Sequence, residues 1–248
     1  MMPKLFLHVG FAKCGSTSLQ DALKVAPHIY YPRSGVNGSE HLGLALKIRG
    51  IDDWTRQFFD ETWVNQQNTA LQLELKNKKN EPIVLSSERL AAMSEQEISS
   101  IKTMLASFQV ELVIVKRQRD AYLKSTWRHA VFYHDYALSY EEFYSKMGNF
   151  SFDGAIEKFK KHFLVHVFDL DDPDYEKHLN HLLGTKITLP KSNVGVPSGF
   201  ASLLQQTHAL MGSQKFKSVY DMPTKQSMLS AFHGSVKHSI DPIDAPLF

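Results

Sequence analysis

Residues 9–18 read Val-Gly-Phe-Ala-Lys-Cys-Gly-Ser-Thr-Ser, two glycines framing a lysine and followed by three hydroxyls in a row. The apolar, β-like run Lys4–Val9 precedes them. Leu19, Ala22 and Leu23 recur at helical spacing after them. A strand, a glycine loop and a helix start make an anion cradle, because backbone N–H groups and the helix dipole converge on one spot. Ser16, Thr17 and Ser18 add hydroxyl donors to it. A second cluster begins at Arg117, directly after the apolar run Val110–Lys116, with Ser125 eight residues further on. An arginine at a strand end and a hydroxyl on the next helix suit a phosphate group, because the planar guanidinium binds its oxygens in pairs. Taken alone, this cluster also reads as a solvated basic helix face.

Gly10 and Gly15 have the spacing of a nucleotide-binding phosphate loop, but the residue after Gly15 is Ser16, where that motif requires lysine. The lysine sits inside the loop, at Lys13. A kinase or nucleotide hydrolase also wants an acidic residue at a later strand end to hold Mg²⁺. Here Lys116 and Arg117 occupy such an end, so a metal site is poorly supported. Cys14, at a helix N-terminus, has the setting of a lowered thiol pKa. Cysteine phosphatases place an arginine six residues after the nucleophile. Gln20 stands there, so Cys14 reads as part of the loop rather than as a nucleophile.

Together the two clusters resemble the cofactor signatures of sulfotransferases that use 3′-phosphoadenosine 5′-phosphosulfate (PAPS), in particular bacterial-type carbohydrate sulfotransferases. Ala12-Lys13-Cys14-Gly15-Ser16-Thr17 matches the family's 5′-phosphosulfate loop, with Ala12 where proline is usual. Arg117 and Ser125 match its 3′-phosphate motif, with Arg119 where proline often follows. The resemblance spans about residues 4–195. It implies a PAPS-dependent enzyme that moves a sulfuryl group to a hydroxyl or amine acceptor, for example a carbohydrate, by in-line displacement. Adenosine 3′,5′-bisphosphate is the product and no metal is needed. It implies that Lys13 stabilises the leaving group, and that Lys13, Cys14, Gly15, Ser16, Thr17 and Ser18 hold the 5′ end. Arg117 and Ser125 then hold the 3′-phosphate, and Lys191, in a C-terminal loop that closes over the cofactor, touches the same end. A general base must take the acceptor's proton. The candidates are Glu88, at the end of the buried run Pro82–Ser86, and His41, with Glu40 beside it a further option. The rival readings are a P-loop kinase or nucleotide-binding protein, and a non-catalytic scaffold of the same fold.

These residues need a frame that brings several strand ends together. Short apolar runs at Pro82–Ser86, Val110–Lys116 and Phe163–Phe168 alternate with helical stretches. Capping boxes open two of those stretches, at Ser94…Glu97 and Ser139…Glu142. This alternation predicts a three-layer α/β fold, with a parallel central sheet and helices on both faces, like that of P-loop NTPases. The expected organisation is one domain over residues 1–248, with 212–248 loosely packed. The chain has 248 residues, a formal net charge of +2, and one cysteine. That excludes a disulfide framework and gives no bulk reason to expect nucleic acid. The N-terminal apolar stretch is too short to span a bilayer, so a cytoplasmic protein with no transmembrane segment is expected. The positive charge is concentrated: Lys116, Arg117, Arg119, Lys124 and Arg128 stand against Asp120 alone.

Overall fold

The computed structural model describes residues 2–53, 55–78, 81–190, 196–212, 216–217 and 219–239. Four strands form one parallel sheet: β1 (Lys4–Val9), β2 (Ile83–Ser87), β3 (Gln109–Lys116) and β4 (Leu164–Asp169), in the order β2-β1-β3-β4. Ten α-helices are seen among the described residues. Before β2 come α1 (Ser16–Lys24), α2 (Leu42–Arg49) and α3 (Glu61–Lys76). In chain order α4 (Glu95–Met104) precedes β3, α5 (Arg119–His134), α6 (Tyr140–Lys146) and α7 (Phe152–Lys160) come between β3 and β4, and α8 (Tyr175–Leu183) follows β4. The chain continues with α9 (Ser198–Met211) and α10 (Met222–Ser239). Both predicted capping boxes are formed, at Ser94 and Ser139. Between Asp52 and Lys76 two helical elements form. Asp52 caps a 3₁₀ turn at Thr55–Gln57, and Asp60 caps α3.

Strand sequence explains the layering. Side chains alternate across a strand, so a strand buried on both sides is apolar throughout. On one face Phe6, Val84, Val113 and Val115 pack with Leu19, Ala22 and Leu23 of α1 and with Tyr175, Leu179 and Leu183 of α8. The opposite row, Leu5, Leu7, Val9, Leu85, Leu112 and Ile114, is fully buried as well. Since β1 pairs β2 in register from Leu5–Ile83 to Val9–Ser87, Gly10 follows directly beside Glu88. The parallel arrangement brings the ends of β1, β2, β3 and β4 to one edge. Ligands of open α/β sheets bind at that edge.

The chain divides into two compact units. The first comprises residues 1–119 and 151–193 and holds the sheet. The second comprises residues 120–150 and 194–248. Its core gathers Leu123, Trp127, Val131, Phe132, Phe143, Phe200, Leu204 and Phe216. Within it Lys225 is buried, donates to the Phe132 carbonyl, and pairs with Asp135. No helix among the described residues is long and apolar enough to cross a membrane.

Candidate functional site

The loop between β1 and α1 is held in two left-handed residues. Lys13 has φ 65°, unusual for a residue with a side chain. Gly15 has φ 78° and caps α1, whose Leu19 N–H donates to the Gly15 carbonyl. A Cβ at Gly15 would also stand 2.8 Å from Leu170 Cδ1. Gly10 is constrained by space instead. A Cβ there would lie 2.6 Å from Ser16 Oγ, 3.0 Å from His8 Cε1 and 3.4 Å from Glu88 Cγ. The loop therefore closes tightly over its own floor. Its first glycine is required by the side chains beneath it and its second by backbone conformation and Leu170.

The three hydroxyls separate. Thr17 is exposed and Ser18 half-buried, whereas Ser16 is 2% exposed. Its Oγ is turned inward, where it donates to the Phe11 carbonyl at 3.5 Å. Ser16 can thus offer an anion its backbone N–H but not its side chain. Cys14 is also turned inward. Its thiol is buried, its N–H donates to the Phe11 carbonyl, and burial pushes its pKa up to about 12. It packs under the loop and presents neither a nucleophile nor a side-chain ligand.

Glu88 begins the 3₁₀ turn after β2. Burial raises its pKa above the ordinary carboxylate range, and the nearby Glu40 carboxylate adds to this. The Ser16 hydrogen bond and the Lys13 ammonium oppose the rise. Glu40 is anchored by the Ser87 hydroxyl and faces the Arg89 N–H at 3.4 Å. A lysine at a glycine loop and a half-buried carboxyl group at the next strand end therefore act on one another. A proton acceptor with raised affinity beside a fixed cation fits chemistry in which a proton leaves one group while negative charge grows on another.

His41, the second candidate base, is held by the sheet edge. It is fully buried, and both ring nitrogens are engaged by backbone. Nε2 donates to the Pro32 carbonyl at 3.1 Å, and Nδ1 accepts the Ser86 N–H at 3.1 Å. Its own N–H donates to the Ser86 carbonyl at 2.8 Å. Strand β2 is at the sheet edge, where peptide groups need partners. Tyr30 pairs beside Ile83, and His41 serves the same edge at Ser86, its ring standing in for a peptide carbonyl. Burial drops its pKa to about 4, although both backbone hydrogen bonds oppose that.

Arg117 follows β3 at the same edge. Its Nη2 meets Asp171 Oδ1 at 3.4 Å, while Asp171 Oδ2 accepts the Gln118 N–H at 2.9 Å. The buried Arg117 Nε has no partner among the described residues. Asp171, in the turn after β4, was not singled out in the sequence. An acidic pair around Leu170 is the only signal there, and nothing in their spacing points to Arg117. Ser125 lies two turns into α5, half-buried, in the second unit. Lys191 falls outside the described residues.

No family model matches the sequence, and no curated protein matches it. Among solved structures, the sulfotransferase from Alicyclobacillus acidocaldarius is similar to this chain with a TM-score of 0.53 and 16% identity. The match covers 93% of this chain and 99% of that one. Mouse sulfotransferase SULT7A1 complexed with PAP is matched at a TM-score of 0.40 and 11% identity, over 96% and 86% of the two chains. A chain from the PezAT toxin-antitoxin system of Streptococcus pneumoniae follows at 0.34 and 14%, over 93% and 87%. Only the first likeness is close enough to carry an argument, and it shows the fold: this chain has a sulfotransferase-like α/β architecture.

Proposed function

We propose that the protein transfers a sulfuryl group from PAPS to a hydroxyl or amine of a carbohydrate acceptor, leaving adenosine 3′,5′-bisphosphate. The observation that carries this reading is that Lys13 and Glu88 lie within electrostatic reach of one another at the loop and the next strand end. The loop lysine is held in a left-handed conformation, and its charge acts on a carboxyl group of raised proton affinity at the next strand end.

The residues present suit the donor. The loop N–H groups, Thr17 and Ser18 would hold its 5′ end, and Lys13 would stabilise charge on the leaving phosphate. Arg117 has a buried Nε to offer the 3′-phosphate. The assignment of Ser125 to that phosphate rests on the sequence motif alone, as does that of Lys191. When bound, the donor supplies the sulfuryl group. Glu88 takes the proton of the acceptor hydroxyl, and Lys13 keeps the carboxylate from drifting to a still higher pKa. Within the second unit, a shallow groove of about 530 Å³ is lined by Tyr140, Tyr144, Asp120, Glu141 and Lys124. Aromatic rings beside polar groups suit a sugar, which supports the choice of a carbohydrate acceptor.

Calorimetry separates this reading from the kinase one. Adenosine 3′,5′-bisphosphate should bind tightly without Mg²⁺. Binding of ATP only with Mg²⁺, and no binding of the bisphosphate, sinks the proposal. Transfer of labelled sulfate to a glycan panel then separates an enzyme from a scaffold.

A further inference from the structure

Residues 30–41 leave the edge of β2 and return to it. The Tyr30 N–H donates to the Pro82 carbonyl at 2.9 Å, and the Val84 N–H donates to the Tyr30 carbonyl at 3.0 Å. At the other end the His41 N–H donates to the Ser86 carbonyl. Between these points the loop is pinned from several elements. Glu74 of α3 accepts the Arg33 and Ser34 N–H groups, and Gln67 of α3 accepts that of Gly35, all at 3.0 Å. The Tyr31 hydroxyl donates to the Ser39 carbonyl at 2.6 Å, and Lys24 of α1 donates to the Gly38 carbonyl at 2.7 Å. Asn37 and Glu40 close the last turn with a pair of backbone hydrogen bonds. A loop held at so many points delivers the side chain at its end to one place, and side chains set on such loops commonly carry function. That side chain is Glu40. Its Oε1 accepts the Ser87 hydroxyl and faces the Arg89 N–H at 3.4 Å, while the same N–H stands 3.3 Å from Ser87 Oγ. With the His41 ring on the Ser86 N–H, the dipeptide Glu40-His41 engages residues 86, 87 and 89, on both sides of Glu88. A glutamine at position 40 would accept from both donors equally. A glutamate also brings a negative charge beside a second, half-buried carboxyl group, and like charges at one site disfavour ionisation. The hydrogen bonds alone do not require that charge.

We propose that Glu40 is a positioning residue for Glu88: its carboxylate clasps the turn after β2 on either side of Glu88, through Ser87 and Arg89, and so fixes where the Glu88 carboxyl group stands beside the anion loop. The proposal rests on the reading of Glu88 as the base. Glu88 Cγ lies 3.4 Å from the Cβ position of Gly10, so a small movement of the turn carries the carboxyl group away from the loop. The hydrogen bonds of Glu40 place the turn, and its charge acts on the group the turn presents. Burial raises the Glu88 pKa first, and the Glu40 charge raises it second. The other titratable or charged groups facing Glu88 are Lys13 and the Cys14 thiol of the loop. Tyr31 faces Glu40 from the start of its own loop. Because Glu40 Oε1 is committed to the turn, Glu40 works through Glu88 and not on the acceptor.

The test is carbon NMR of the glutamate carboxyl groups in the full chain, titrated over the pH range in which the protein stays folded, beside sulfate-transfer profiles of two variants. The Glu88 resonance, assigned by its loss in Glu88→Gln, should titrate at lower pH in Glu40→Gln than in the parent. An unmoved or higher midpoint overturns the proposal. For transfer, Glu40→Ala should lower kcat by roughly tenfold or more and leave KM for the donor within about twofold, because a misplaced base slows the chemical step and not donor binding. Glu40→Gln keeps an acceptor for Ser87 and Arg89, so it should recover most of that kcat, with the acidic limb of its profile at lower pH. Two lowered melting temperatures with kcat and the acidic limb unchanged make Glu40 a structural residue only and overturn the proposal. Transfer abolished at every pH in Glu40→Gln makes Glu40 itself the base, and overturns it too. If Glu40→Ala does not fold, the glutamine variant and the titration decide. Full transfer by Glu88→Gln refutes Glu88 as the base, and an absence of any transfer refutes the proposed function. In both cases the carboxyl titration still decides whether Glu40 acts on Glu88.

Discussion

Replacing His41 by alanine should unfold the protein rather than disarm it. The imidazole is fully buried and joins two backbone groups, the Pro32 carbonyl and the Ser86 N–H, each at 3.1 Å. Leaving both unpaired costs about 1–3 kcal/mol apiece. Losing the edge-on contact with Tyr31, centroids 4.6 Å apart, adds about 0.5–1.5 kcal/mol. The expected loss is about 2.5–7.5 kcal/mol, a large part of the roughly 5–15 kcal/mol that holds a typical domain. His41→Asn keeps an acceptor near Nδ1 for the Ser86 N–H and should recover about 1–3 kcal/mol of it. The pH dependence has a definite sign. The folded pKa is lowered to about 4 against 6.5 for a free imidazole, so the unfolded chain binds the extra proton between those values. This contribution is complete above pH 6.5 and is lost as pH falls toward 4, to the extent of about 3 kcal/mol. His8 behaves alike, so the unaltered protein should lose stability in that window with a slope approaching two protons. Urea denaturation at several pH values measures all of this. His41→Asn should retain the slope of one proton. A His41→Ala protein as stable as the parent at pH 7 but without transfer would refute the argument and restore His41 as the base.

The remaining predictions concern the loop and its edge. Lys13→Ala should abolish sulfate transfer with an unchanged melting temperature, and Glu88→Gln should abolish it with bisphosphate binding retained in calorimetry. Because burial raises the Glu88 pKa, transfer should fall on the acid side at a higher pH than an exposed glutamate would give, and a limb near the ordinary glutamate value of 4.5 contradicts that assignment. Gly10→Ala puts a methyl group 2.6 Å from Ser16 Oγ and should weaken bisphosphate binding, whereas Gly38→Ala, with nothing within 4 Å, should not. Gly38 has φ 63°, so its variant should lose about 1 kcal/mol in urea melts with binding intact. Asp171→Asn frees Arg117 from a competing carboxylate and should tighten bisphosphate binding about tenfold. Weaker binding instead would make Asp171 the residue that aims Arg117.

The layering was legible because it depends on patterns a single chain displays. Continuous apolar runs marked the strands, and the capping boxes at Ser94 and Ser139 opened helices where expected. The loop was legible because glycine spacing reports backbone geometry. What the sequence hid was the direction of side chains. Ser16, Thr17 and Ser18 look equivalent as letters, yet Ser16 turns inward and Thr17 outward. His41 has the pKa of a good base until its burial is known. Its role depends on the unpaired edge of β2, which is set by strand order and not by any local motif. Asp171 meets Arg117 only because β4 lies next to β3.

Strand order also changes how the charge of the site is to be understood. The sequence shows a cationic stretch from Lys116 to Arg128, which reads as an electrostatic trap for a doubly phosphorylated ligand. Folding places acids against the same edge. Asp171 meets Arg117, Glu88 lies in the field of Lys13, and Glu40 backs Glu88. A bare cluster of cations would attract any polyanion and would repel itself when unliganded. Here the Arg117 cation is already paired, so a ligand must replace Asp171 and not merely neutralise empty positive charge. That favours an anion whose oxygens match the loop N–H groups and the Arg117 fork together, and it disfavours diffuse polyanions that offer charge without geometry. The same logic applies to Glu88. Its raised proton affinity comes from burial and Glu40, with Ser16 and Lys13 opposing it, so any group that neutralised Lys13 would also raise the proton affinity of this carboxyl group. On the proposed reading, donor binding and proton acceptance would be coupled through Lys13, and the loop that holds it would be the element on which both depend.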